Sequence, residues 1–425
     1  MAEHVFVGFG FGPIQGGLFA KEACQSGNFS RIILAEIDQR LVGAVRGNRG
    51  TYYVNVAKSD GIEVLRIDGV DVLNPAVAED RHKLVDALAQ ATEIATCLPS
   101  VKFYDLEGVS NVAALIAEGL AKSIAPATII YAAENDIRAA EQLEDAVTKK
   151  GGVVLPQKVQ FLNTVIGKMS RVVDDPAEIA ERRLAAIAPS LERAFLVEEF
   201  NKILVSRAGI AGFQPGIRVF IEKDDLRPFE QAKLYGHNAI HALLAFIATL
   251  KGYRKMTQLR DDKALMELGR RAFLEESGAA LIKKYGALGD ELFTETGYRS
   301  FAEDLLERMT NSYLADTVAR AGRDIVRKLG INERIFGTMS LALDYGIEPR
   351  NIALGAAAGI AVLVRQSLQH NLPADLRVDD WRVLDLTGIE AILAWVWGRP
   401  KSRYSQRLVG RTHNAMKQLI DLVGR

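Results

Sequence analysis

The chain has 425 residues, 48% hydrophobic and 25% charged, with 53 Lys and Arg against 53 Asp and Glu. Its length exceeds what one hydrophobic core usually serves and predicts two domains, while the composition excludes a disordered or fibrous chain. With a formal net charge of zero, no overall field draws nucleic acid or an anionic membrane, so any anion site must be local.

Cys24 and Cys97 stand far apart. They suit neither a disulfide framework nor a clustered metal motif, which predicts a reducing compartment. The N-terminal segment lacks the basic and long apolar regions of a signal peptide and reads as a strand entering a turn. The longest uncharged apolar run, residues 352–364, is too short to span a bilayer. The expectation is a cytoplasmic protein without a transmembrane segment.

In chain order, β-rich runs at residues 4–8, 32–36, 93–97, 128–133 and 159–166 alternate with helical patterns such as 112–121 and 137–147. That alternation predicts an α/β fold, a doubly wound, Rossmann-like sheet of parallel βαβ units over residues 1–200. From about residue 176 apolar residues recur at three and four positions. A mainly helical domain is therefore expected over residues 201–425, with helices in 243–250, 263–285, 301–318 and 352–369. Residues 205–222 read as loop or short strands before a long helix beginning near Asp225. The basic terminal stretch, 399–425, reads as a solvated helix and its lead-in.

After the first strand comes Gly8-Phe9-Gly10-Phe11-Gly12-Pro13-Ile14-Gln15-Gly16-Gly17, followed by a helical pattern. Glycines here let the backbone approach a pyrophosphate, which then sits on a helix N-terminus. The motif predicts a dinucleotide site formed by Gly10, Phe11, Gly12, Pro13, Ile14, Gln15 and Gly17. The usual third glycine falls on Gln15, which implies altered helix packing or a shifted register. Glu36, ending the second strand, can accept hydrogen bonds from the adenosine ribose. Its charge would repel a ribose phosphate, which favours NAD over NADP.

The segment Lys233-Leu234-Tyr235-Gly236-His237-Asn238-Ala239-Ile240-His241 opens an apolar helix. On a straight α-helix, Asn238 lies about 140° and His241 about 80° around the axis from Lys233, so all three border one side. A desolvated lysine can take a hydroxyl proton, an amide can stabilise the oxyanion, and an imidazole can orient the substrate. The blander alternative is a solvated lysine, a packing amide and a core histidine. His237 and His241 are spaced as metal ligands often are, but Asn238 stands where the zinc protease motif needs Glu. No metal site is expected.

Together these residues resemble the long-chain polyol dehydrogenase family, which includes mannitol 1-phosphate 5-dehydrogenase, mannitol 2-dehydrogenase and hexuronate reductases. Residues 225–241 match its K-x4-N-x2-H signature, with Lys233, Asn238 and His241 in register. The resemblance implies Lys233 as general base and an oxyanion site made of Asn238 and a second asparagine, identified as Asn135 in Tyr131-Ala132-Ala133-Glu134-Asn135. It also implies NAD along the carboxyl ends of the strands, and a substrate pair of the mannitol 1-phosphate and fructose 6-phosphate type. Free polyols, hexuronates and a non-catalytic NAD-binding role are the alternatives. A phosphate would need cations such as Lys202, Arg207, Arg327 and Lys328. A monomer is expected, since the family includes monomeric enzymes. The family's Asn-Ser/Thr-x-x-Asp-Arg pattern appears as Asn163-Thr164-Val165-Ile166-Gly167-Lys168, without its carboxylate.

Overall fold

The computed structural model of the chain describes residues 4–151, 158–398 and 403–424. It forms two compact units, Met1–Arg227 and Pro228–Arg425. The boundary falls at 227 rather than at 200, because residues 203–223 carry two strands whose backbone groups are satisfied by the sheet of the first unit.

The strands are β1 (His4–Phe9), β2 (Phe29–Ala35), β3 (Tyr52–Ala57), β4 (Ile62–Ile67), β5 (Val70–Leu73) and β6 (Glu93–Thr96). They continue with β7 (Thr128–Ala132), β8 (Val159–Val165), β9 (Ser170–Val173), β10 (Ala194–Glu198), β11 (Ile203–Ser206) and β12 (Phe220–Lys223). An eight-stranded sheet runs β12-β11-β8-β7-β6-β1-β2-β5. Its neighbours pair in parallel except β8 and β11, which makes it mixed rather than purely parallel.

Parallel pairs need crossovers, and helices Ala78–Gln90, Val112–Ala121 and Ala139–Gly151 supply them. Val112–Ala121 starts where a side chain can begin it, the Asn111 amide oxygen accepting from the Ala114 N–H at 2.8 Å.

Strand alternation sorts the core of this unit. Val5, Val7 and Phe9 of β1 face one side with Leu84, Leu88, Ile116 and Leu143 of the crossover helices. Phe6 faces the other side with Phe11, Leu18, Phe19, Tyr52 and Phe195. Each such side chain stabilises the fold by roughly 1.5–3 kcal/mol through burial.

A second sheet of four strands, β4-β3-β10-β9, was not among the expected elements. β3 pairs in parallel with β10 and antiparallel with β4, while β9 and β10 are antiparallel. β3 and β4 are neighbours in the chain, but the pairing that joins them to β10 spans well over a hundred residues, which no local pattern encodes.

In the second unit, Arg227–Gln231 leads into the wider turn of a π-helix at Ala232–His237, and helix Asn238–Leu250 follows. The run expected over 263–285 forms as Lys263–Arg271, a π segment at Ala272–Gly278, and Ala279–Tyr285. The expected helix 301–318 instead begins at Glu295 and stops at Met309. Beyond it, Thr317 bridges antiparallel to Lys255, and Asp316 O accepts from Met256 N at 2.9 Å, which draws this stretch out of helical form. The apolar run over 352–364 lies in helix Arg350–Arg365, buried almost throughout, which packs against Asn238–Leu250.

Within the described residues, no helix is long and apolar enough to cross a membrane. Of the basic terminal stretch, residues 399–402 and 425 lie outside the described residues; the remainder includes helix Ser405–Val423.

Candidate active site

The glycine loop follows β1 directly. Gly10 has φ +79°, and a Cβ there would stand 2.8 Å from the Cys97 carbonyl oxygen, so both conformation and space demand glycine. Around Gly12, its chain neighbours apart, no atom of the described residues lies within 4 Å of where a Cβ would stand. The helix then begins at Pro13 and Ile14 and widens into a π segment at Gln15–Phe19, closed by the Ala20 N–H donating to Gln15 O.

This widening is how the chain accommodates Gln15 in place of glycine. Its side chain is wholly buried and folds over Gly8, where any Cβ would clash with the Gln15 amide at 2.0 Å. Neither Gln15 Nε2 nor Oε1 has a hydrogen-bond partner among the described residues.

Glu36 sits immediately beyond β2 and is tied to the loop. One carboxylate oxygen accepts from Phe11 N at 2.8 Å, and the other accepts from Ile37 N and Asp38 N, each at 2.8 Å.

Asn135 is exposed just beyond the carboxyl end of β7, next to a firmly held neighbour. The buried Glu134 carboxylate accepts from Thr96 Oγ1 at 2.9 Å, Leu98 N at 2.8 Å and the Tyr104 hydroxyl. Burial raises its pKa, and these three bonds oppose the rise.

In the second unit, the structure brings Lys233, Asn238 and His241 to one side of one helix. The Asn238 N–H donates to Lys233 O across the π turn, five residues rather than four. Asn238 therefore stands one turn above Lys233 instead of about 140° around from it. His241 follows three residues later on the α-helix, on the same face as Asn238. Gly236 within the turn permits this packing, since a Cβ there would meet the Tyr298 hydroxyl at 2.7 Å and the Phe273 ring at 2.9 Å.

The electrostatics around Lys233 favour a neutral amine. Desolvation lowers its pKa from 10.5 to about 8; the Arg334 charge adds to the drop and Glu230 opposes it. Part of the lysine still reaches solvent, so it is the dense protein packing around the ammonium that sets its desolvation.

Arg334 is itself buried, with Glu333 at 3.3 Å as its ion-pair partner. Thr338 Oγ1 lies within hydrogen-bonding distance of both the Tyr235 and Arg334 carbonyls, which fixes this segment against the π turn. Lys328 is also buried and donates to Ala321 O. Burial, then Arg334 and Arg327, lower its pKa to about 7.

His237 is buried, and its pKa lies well below the usual value because of desolvation and the cations around it. His241 turns Nε2 toward the Asp316 carboxylate at 3.5 Å. Among the described residues, no group of three or more His, Cys, Asp or Glu is placed to hold a metal ion.

The remaining phosphate candidates divide between the units. Lys202 and Arg207 belong to the first, with Arg207 paired to Asp224 at 2.5 Å; Arg327 belongs to the second and pairs with Glu333 at 3.5 Å. At the departure from the family pattern, Lys168 is buried and donates to the carbonyls of Glu198 and Phe200. It ties two chain segments together there, and Gly167 brings no carboxylate. Glu230, Asp316, Arg334 and the Glu134 network were not read from the sequence, because their meaning lies in contacts that no local pattern encodes.

Residues 225–375 match the family model of the mannitol dehydrogenase C-terminal domain. Among solved structures, D-sorbitol dehydrogenase in its substrate-free form is 14% identical, with 99% of this chain and 93% of that one covered at a TM-score of 0.76. Mannitol 2-dehydrogenase of Pseudomonas fluorescens, solved as a ternary complex with NAD and D-mannitol, is 16% identical, with the same coverage and a TM-score of 0.66. At such identities the two structures establish a shared fold, α/β at the N-terminus and helical at the C-terminus. The family match is to the C-terminal domain, over residues 225–375, and takes in the helix that carries Lys233, Asn238 and His241, so in this part the chain is similar to the mannitol dehydrogenases.

Proposed function

We propose that this chain is an NAD-dependent oxidoreductase that interconverts a sugar alcohol, or its phosphate, with the matching ketose, using Lys233 as general acid and base. The observation that supports this reading is the half-buried π turn that stacks Asn238 over a lysine whose pKa is lowered to about 8. A base poised near working pH beside an amide donor suits alcohol oxidation.

The glycine loop fits the cofactor. Gly12 leaves open space over a helix start, and Glu36 offers a carboxylate beside it. NAD, when bound, would supply the hydride acceptor. In oxidation the neutral Lys233 amine takes the hydroxyl proton. The Asn238 side-chain amide donates to the oxygen as charge develops on it, and we assign Asn135 the same role. His241 orients a neighbouring hydroxyl. In reduction Lys233 returns the proton as the acid.

The mannitol 1-phosphate and fructose 6-phosphate pair is the preferred substrate type. Arg334 and Arg327, which share the single carboxylate of Glu333, give the helical unit positive charge suited to an anionic substituent. One observation favours a second reading, an NAD-binding regulatory protein without turnover: the absence of a carboxylate at Gly167.

NADH consumption with fructose 6-phosphate, fructose, fructuronate and tagaturonate, run beside Lys233→Ala, separates these readings. Turnover of one ketose that disappears in the variant supports the enzyme and selects its branch. Tight NAD binding without turnover of any supports the second reading.

A further inference from the structure

We infer that Asp316 is a positioning residue for His241, holding the imidazole with its proton on Nε2 and leaving Nδ1 as an acceptor for a substrate hydroxyl. This rests on the reading of His241 as a group that meets the substrate. Asp316 lies outside the signature helix and is only 1% exposed.

Its carboxylate is held from several directions. Arg320 Nε donates to Oδ1 at 2.7 Å and Arg320 Nη2 to Oδ2 at 3.1 Å, while Thr317 N donates to Oδ1 at 2.8 Å. The main chain is pinned as well, Asp316 O accepting from Met256 N at 2.9 Å. Oδ2 faces His241 Nε2 at 3.5 Å, a charge contact rather than a formed hydrogen bond, and among the described residues that buried nitrogen makes no hydrogen bond.

Burial alone would push the Asp316 pKa up, but the ring N–H that His241 turns to it and the Arg320 guanidinium outweigh burial and hold the group below the usual carboxylate range. An ionised carboxylate can only accept. A bare Nε2 lone pair turned toward it would be repelled, whereas an Nε2–H is attracted, so the contact selects one tautomer and fixes the plane of the ring. Sequence spacing alone gave His241 a position on the helix. Asp316, on a segment held out of helical form by its bridge to residues 254–256, decides which nitrogen carries the proton.

The test is nitrogen-15 NMR of the full chain labelled at its 6 histidines, with His241→Gln identifying the signal. Long-range proton–nitrogen correlations distinguish the two neutral tautomers. The wild type is expected to show Nε2–H at His241, and Asp316→Asn a mixture containing Nδ1–H. In parallel, kcat/KM should fall by at least about tenfold in that variant, as expected when an imidazole adopts the wrong tautomer.

Arg320→Gln, which leaves the carboxylate in place, should retain Nε2–H. The inference is overturned if the wild type shows Nδ1–H, if Asp316→Asn leaves the spectrum unchanged, or if Arg320→Gln gives the same mixture. Should Asp316→Asn fail to fold, the wild-type tautomer and the Arg320→Gln spectrum decide. Full turnover in His241→Gln would instead sink the substrate-contact reading while leaving the tautomer result intact.

Discussion

The Asn238 backbone N–H donates to the Lys233 carbonyl, a five-residue closure that brings the two residues into line along the helix. The same turn packs Tyr235 against the segment carrying Arg334 through Thr338. The geometry of the lysine and the charge acting on it are therefore set together.

Arg334 favours the uncharged form of Lys233, so removing it should raise the lysine's pKa. If Lys233 is the base, as proposed, oxidation needs the neutral amine, and its rate should rise with pH through about 8 in the wild type. In Arg334→Gln the limb should move to higher pH, with a rate at neutral pH lower by roughly two- to fivefold. Arg334→Lys should hold the limb near its original place. Profiles of kcat against pH for all three proteins check this, and an unshifted limb in Arg334→Gln would refute it.

Gly167 has room for a side chain: a Cβ there meets its nearest neighbour, the Phe200 ring, at 3.5 Å, an ordinary contact. Gly167→Asp should fold with a stability change within about 0.5 kcal/mol. If the family carboxylate assists proton movement, the variant should turn over faster than the parent. Thermal melts and initial rates measured together test both expectations, and a large loss of stability would show that the space is not usable.

The buried Gln15 amide lacks hydrogen-bond partners among the described residues, and such a group typically costs about 1–3 kcal/mol. Gln15→Met keeps similar length and removes the polar atoms. Its melting temperature should rise by roughly 2–4 °C for each kcal/mol recovered. A lower melting temperature by calorimetry would show that the amide is satisfied in solution.

Glu93 is fully buried in the sheet of the first unit, accepting from Tyr131 at 3.0 Å and from Gly216 N. Burial raises its pKa from 4.5 to about 7, against the opposing effect of those bonds. The folded state therefore holds this proton where the unfolded chain has released it. Stability from this group is present below 4.5 and lost as pH rises toward 7, by about 3 kcal/mol across the window. Glu93→Gln cannot titrate. Its melting temperature relative to wild type should accordingly climb between those two values and level off above them; a pH-independent difference would contradict the shift.

Much of this architecture was legible because its signals are local. Val5, Phe6 and Val7 alternate between two cores, and Asn111 caps the helix that the apolar spacing of 112–121 implies. Glycine spacing marked the loop, and Lys233, Asn238 and His241 marked the helix. What escaped depends on distant pairing. β3 finds β10 across the chain, and β11 and β12 join the sheet after a long interval, which moves the unit boundary. The α-helical angle assigned to Asn238 failed for a different reason. Hydrophobic spacing reports which face is buried, whereas a π turn is fixed by tertiary packing, here around Gly236 and Thr338.

Glu36 has a kinetic consequence. Its carboxylate gathers the amides of Phe11, Ile37 and Asp38, so the loop between β1 and its helix is braced by a side chain of the protein itself. A guest entering there orders little backbone and is spared most of the entropy that a floppy loop would lose. Capture should therefore be a single fast step whose rate scales with ligand concentration, without the plateau that a slow rearrangement imposes.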